Sequence, residues 1–146
     1  MFQIVRPTIK KISPMGMLKS GTQSPEITSE SWGELTSFIT DPAYPSTIMS
    51  GTNKLFSNGT GSVNVTASVH WTSQAGTYDR NIRVKIDGTI VWTKGVQSLT
   101  ADSVQSGTFN ISLAAGQIIS LEAWTSSIQT RAGIQGTSNT FLRWDY

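Results

Sequence analysis

The stretch RNIRVKIDGTIVW, residues 80–92, dictates a β-hairpin. Asp87-Gly88 supplies a two-residue type I′ turn, because both central positions of that turn need positive φ and Asp-Gly tolerates it. A two-residue loop also sets the register. Ile86 then faces Thr89, Val84 faces Val91 and Ile82 faces Thr93 on an apolar side. Lys85 faces Ile90 and Arg83 faces Trp92 on the other. This register turns a tryptophan away from its own core, and a use for that tryptophan must be found.

Neighbouring segments carry the same period of two. SVNVTASVHW (62–71) places Val63, Val65, Ala67, Val69 and Trp71 on one face, as in a strand with one buried side. GTFNISL (107–113) alternates Phe109, Ile111 and Leu113, and IISLEAW (118–124) sets Ile119, Leu121 and Ala123 against Ile118 and Trp124. Eight to ten such strands separated by turn signals, with no helical stretch and no repeat, predict an all-β sandwich or barrel. The 146 residues suffice for one core. The final SNTFLRWDY reads as a strand that places Trp144 and Tyr146 in or beside the sheet.

Residues 1–30 read differently. Pro7, Pro14, Gly16, Gly21 and Pro25 predict an irregular arm. Phe2, Ile4, Ile9, Ile12 and Met15 make it too apolar for a solvated tail, and Arg6, Lys10 and Lys11 make it basic. Such an arm packs on its own domain or docks on a neighbour. The expected division is therefore a docking arm over 1–30 and a β domain over 31–146.

Chemistry-bearing constellations are scarce. The chain has no cysteine, hence no disulfide framework and no thiolate ligand. Its one histidine, His70, lies on the polar parity of its strand and no G-x-S-x-G elbow accompanies it. The carboxylates are scattered, without a calcium-loop spacing or a glycosidase pair. The expectation is no catalytic residue, no metal and no cofactor. Basic and acidic residues balance from residue 31 onward, which argues against nucleic acid. No apolar run is long enough for a membrane helix, and the N-terminus lacks the apolar core of a secretory signal. What remains is aromatic. Arg83, Trp92, Trp124 and Tyr78 are the candidate contact residues, either in a subunit interface, where such residues are enriched, or as sugar platforms. An arginine lying over Trp92 is the simplest alternative.

The segments around Gly76-Thr77-Tyr78, Arg83-Val84-Lys85-Ile86-Asp87-Gly88 and Leu113-Ala114-Ala115-Gly116-Gln117-Ile118-Ile119-Ser120-Leu121 resemble the C1q/TNF-like jelly roll. Gln117 stands where that family often has Asp, so no metal role is carried over. Trp32, Leu35, Phe38, Asp41, Tyr44, Pro45 and Thr47 are similar to the opening of small minor tail proteins of phages that infect mycobacteria and related actinobacteria. The resemblance covers about residues 31–146 and implies a non-enzymatic virion protein, assembled in the host cytoplasm as a homotrimer. It would sit in the tail tip or tail fibre and serve host-surface attachment. Its partners would be copies of itself, other tail proteins through the arm, and a host cell-wall glycan. A capsid decoration protein and a stand-alone lectin-type module are the alternatives.

Overall fold

The computed structural model describes residues 4, 6–22, 31–72, 76–100, 102–126 and 133–146. Twelve strands are present among them: β1 (Met15–Lys19), β2 (Gly33–Glu34), β3 (Phe38–Thr40), β4 (Met49–Ser50), β5 (Lys54–Phe56), β6 (Gly61–His70), β7 (Tyr78–Ile86), β8 (Thr89–Thr93), β9 (Gln97–Leu99), β10 (Val104–Leu113), β11 (Ile118–Thr125) and β12 (Phe141–Asp145). The strands beyond the expected eight to ten are pieces of two or three residues, too short to show a period of two.

One sheet has five strands in the order β10-β6-β12-β1-β3. The other has seven, β4-β5-β11-β7-β8, with β2 added to β11 and β9 to β7. Neighbours pair antiparallel throughout. The two sheets face each other across one core in which the alternating residues meet. Val63, Val65, Ala67 and Val69 of β6 and Leu142 and Trp144 of β12 pack against Ile82 and Val84 of β7 and Ile119, Leu121 and Ala123 of β11. The fold class read from the sequence, a two-sheet jelly-roll sandwich, is the one observed.

The N-terminal boundary is corrected. Residues 15–19, expected in an irregular arm, form β1 in the interior of the five-stranded sheet, between β12 and β3. Ile12, Met15 and Met17 lie in the core. The prolines misled because Pro14 stands just before the strand, where its missing N–H breaks no ladder bond. Ile4, Arg6, Ile9, Lys10 and Lys11 are exposed. Phe2 lies outside the described residues. Lys11 forms an isolated parallel bridge with Thr60, which brings the chain down onto the sandwich.

The segment 41–47 is a strap across β1. Asp41 is buried, its carboxylate accepts from the Ala43 N–H at 2.9 Å, and its carbonyl accepts from the Tyr44 N–H. Tyr44 lies directly on Gly16, where any Cβ would come within 2.8 Å of its ring. The Thr47 hydroxyl links the Gly16 and Tyr44 carbonyls. Leu35 and Phe38, which precede the strap, lie in the core.

The hairpin turn forms as expected, with φ 49° at Asp87 and 80° at Gly88. Its register does not hold. Ile86 faces Thr89 and Lys85 faces Ile90, but Val84 then faces Trp92 and Arg83 faces Thr93. A bulge at Val91 inserts one residue, and everything beyond it changes face. Trp92 therefore points inward.

Candidate interaction surfaces

Three surfaces could hold a partner. The first is the open side formed by the edge strands β8 and β10. Trp92 reaches from one sheet across to the other and stacks on Phe109, with ring centroids 5.1 Å apart and planes within 7°. Its indole rests on Gly107, where a Cβ would lie 2.5 Å from the ring. This contact explains the bulge: stacking contributes about 0.5–1.5 kcal/mol beyond the area it buries, and only the inward register delivers it. Ile111 and Val91 are partly buried beside the stack, while Ile90 is exposed.

The second surface is the outer face of the seven-stranded sheet. Glu122 of β11 lies between Arg83 of β7 and Glu34 of β2. Its carboxylate accepts from Arg83 Nε at 2.5 Å and Lys85 Nζ at 2.8 Å. Burial opposes its charge, yet the hydrogen bonds from Lys85 and Arg83 together outweigh that and hold its pKa below the ordinary glutamate value. The Arg83 guanidinium lies 4.0 Å from the Trp32 ring centroid. A cation does cover an indole here, but the indole is that of Trp32 and not that of Trp92. Trp124 is half-buried on the same face, in register with Asn81.

A carboxylate whose pKa is lower in the folded than in the unfolded state stabilises the fold above the unfolded value. It loses that contribution as the pH falls through the folded one. Glu122→Gln is therefore expected to cost about 2 kcal/mol at neutral pH, since two cations lose a shared counter-charge while keeping some contact with water. The deficit should shrink below the ordinary glutamate range, where the native carboxyl also protonates. Urea unfolding of both proteins at neutral and acidic pH measures this, and an undiminished deficit in acid counts against the ion pairs as its source.

The third surface is the outer face of the five-stranded sheet. Where β6 and β10 run side by side, like faces like: Ser62 and Ser112 hydroxyls are 3.1 Å apart, Thr66 and Thr108 2.9 Å, and Asn110 donates to Asn64 at 3.2 Å. These uncharged rungs form a flat polar ladder. His70 ends it, with Nε2 2.7 Å from Asp102 and Nδ1 3.2 Å from the Thr137 hydroxyl. The Thr137 hydroxyl already accepts from the Asn139 N–H. The trio ties the end of β6 to the loops that carry Asp102 and Thr137.

The four candidate contact residues do not lie on one surface. Arg83 and Trp124 share the outer face of the seven-stranded sheet, whereas Trp92 belongs to the open side. Tyr78 is half-buried at the start of β7, opposite Leu99. Phe109, Trp32 and Glu122 were missed as their partners. Gly107 was the available signal, since a glycine inside a strand marks the close approach of another group.

With this geometry in view, known structures identify the architecture. A crystal structure of murine APRIL at pH 8.5 superposes with a TM-score of 0.60 at 14% identity, over 92% of this chain and 98% of that one. A structure of Eiger TNF from S. frugiperda gives 0.62 at 12% identity, over 92% of each chain. The fold is the TNF-like jelly roll. At the level of sequence, no protein-family model and no curated protein matches.

Proposed function

We propose that this chain is a non-enzymatic, trimeric attachment head of a bacteriophage virion, carried at the tail tip or in a tail fibre. One observation carries the assembly part. The ten residues of β10 include no charged residue and no proline and pair with β6 without a bulge, yet β10 is an edge strand on the open side. Proteins protect long edges with charge, proline or a covering element. Here the cover is a second copy: the open side of one subunit lies on the polar ladder of the next, and a head-to-tail contact of this kind closes into a ring. Trimers are the assembly that the jelly-roll resemblance implies. The phage assignment rests on Trp32, Leu35, Phe38, Asp41, Tyr44, Pro45 and Thr47, which resemble the opening of phage minor tail proteins. The exposed basic and apolar residues Arg6, Ile9, Lys10 and Lys11 would dock the head on the rest of the tail, and a host cell-wall glycan is the ligand class in view.

The full chain is expected to sediment as three copies. Thr108→Arg, which adds a charge to the ladder, should weaken that association at least about 100-fold, since burying an unpaired charge costs several kcal/mol. A monomeric native chain, or a variant that stays trimeric, rejects this contact. Gold-labelled antibodies on particles of the source phage test the location. Label at the far end of the tail is expected, and label over the head would replace the tail role with capsid decoration.

A further inference from the structure

At the end of the sandwich where β6 finishes and β7 begins, a cation is sealed into the core. Arg80 occupies the core-facing parity of β7, in phase with Ile82, Val84 and Ile86, and is only 1% exposed. Its Nε and Nη1 have no hydrogen-bond partner. Beside it, Trp71 is fully buried, with its ring centroid 5.0 Å from the guanidinium carbon, and its Nε1 is also without a partner. Both groups are donors only. The adjacent Gln105 turns its Nε2 to the Arg80 carbonyl at 3.1 Å, and its unused Oε1 is neutral. Among the described residues no carboxylate pairs with Arg80; the ion pairs involve Lys54, His70, Arg83 and Lys85. Asp79, its neighbour in sequence, has the opposite parity and accepts from the Ser98 hydroxyl.

A buried charge without a counter-charge is destabilising by several kcal/mol. Arginine does not escape by losing its proton at neutral pH, even where burial pushes its pKa down as it does here. The stacked indole offsets part of this. Water could satisfy the N–H groups but leaves the charge. A second subunit cannot supply a carboxylate, because the chain itself already encloses the group. The missing counter-charge is therefore small.

We propose that Arg80 and Trp71 hold a small monovalent anion of chloride type, with Arg80 supplying the charge and Trp71 Nε1 a second donor. The ion would complete the core at this end of the sandwich and couple its stability to the surrounding anion. The test is thermal unfolding of the full chain at constant ionic strength, with chloride replacing the bulky anion isethionate. For a dissociation constant of about 10 mM, ligand linkage predicts a Tm rise of about 3–6 °C between 1 and 100 mM chloride. Arg80→Met, which keeps an apolar stem, should abolish the rise. Trp71→Phe, which keeps a ring but removes the donor, should move its midpoint to about tenfold higher chloride. Equal Tm values of the native chain in the two salts overturn the proposal and leave the guanidinium to water. A chloride-specific rise that persists in Arg80→Met also overturns it, by placing the ion elsewhere. Should that variant not fold, the native comparison and the Trp71→Phe midpoint decide.

Discussion

Deleting residues 1–30 is expected to leave a chain that does not fold, whereas deleting residues 1–9 leaves the sandwich intact. The larger deletion removes β1, and with it the neighbour of both β12 and β3. It also removes Ile12, Met15 and Met17 from the core. Truncating one buried Ile or Met to alanine typically costs about 2–5 kcal/mol. Three together approach the whole stability of a domain, about 5–15 kcal/mol, before the lost ladder bonds are counted. Among the described residues the shorter deletion touches only exposed positions, and it spares Lys10, whose carbonyl accepts from the Thr60 N–H at 2.9 Å. Circular dichroism and urea unfolding of the two fragments distinguish them. Cooperative unfolding of a 31–146 fragment would show that β1 is dispensable.

Trp144→Ala is expected to destabilise the protein by about 4 kcal/mol, the usual cost of truncating a large buried aromatic. Trp144 is fully buried on β12, in register with Met15 on one side and Val65 on the other. Its Nε1 donates to the Ser13 carbonyl at 2.9 Å, so the same side chain fills the core and ties down the entry to β1. The midpoint of thermal unfolding should fall by about 10–15 °C for a domain of this size. Trp144→Phe separates the two roles: it keeps most of the volume and should lose about 1 kcal/mol for the hydrogen bond plus a smaller packing term. If alanine and phenylalanine proved equally mild, the indole would not be holding the sheet centre together.

How far the chain could be read depended on how local each cause was. The strands at 61–70, 104–113 and 118–125 were legible because apolar residues alternate along the core-facing side of each, which writes a period of two into the residues themselves. The Asp87-Gly88 turn was legible because its backbone demand is met by two adjacent residues. The register beyond it was not. Two sheets compete for Trp92, and the winning contact lies with Gly107 and Phe109, a strand away in sequence. The partners of Arg83 failed for the same reason, since Trp32 and Glu122 are about 50 and 40 residues distant along the chain and meet it only after the sheet has formed. Strand β1 was missed because five residues between breakers carry too short a pattern to outweigh Pro14 and Gly21.

The bridge between Lys11 and Thr60 gives the molecule a direction. Lys11 also lies 5.0 Å over the Tyr146 ring, and the Tyr146 hydroxyl donates to the Ile12 carbonyl at 2.9 Å. The incoming chain and the C-terminal residue thus emerge together beside the start of β6, while His70, Asp102 and Arg80 lie at the opposite tip. A tether attached before residue 10 and a cargo fused after residue 146 would leave from one pole, and the loops at the other pole would be carried outward as the leading end.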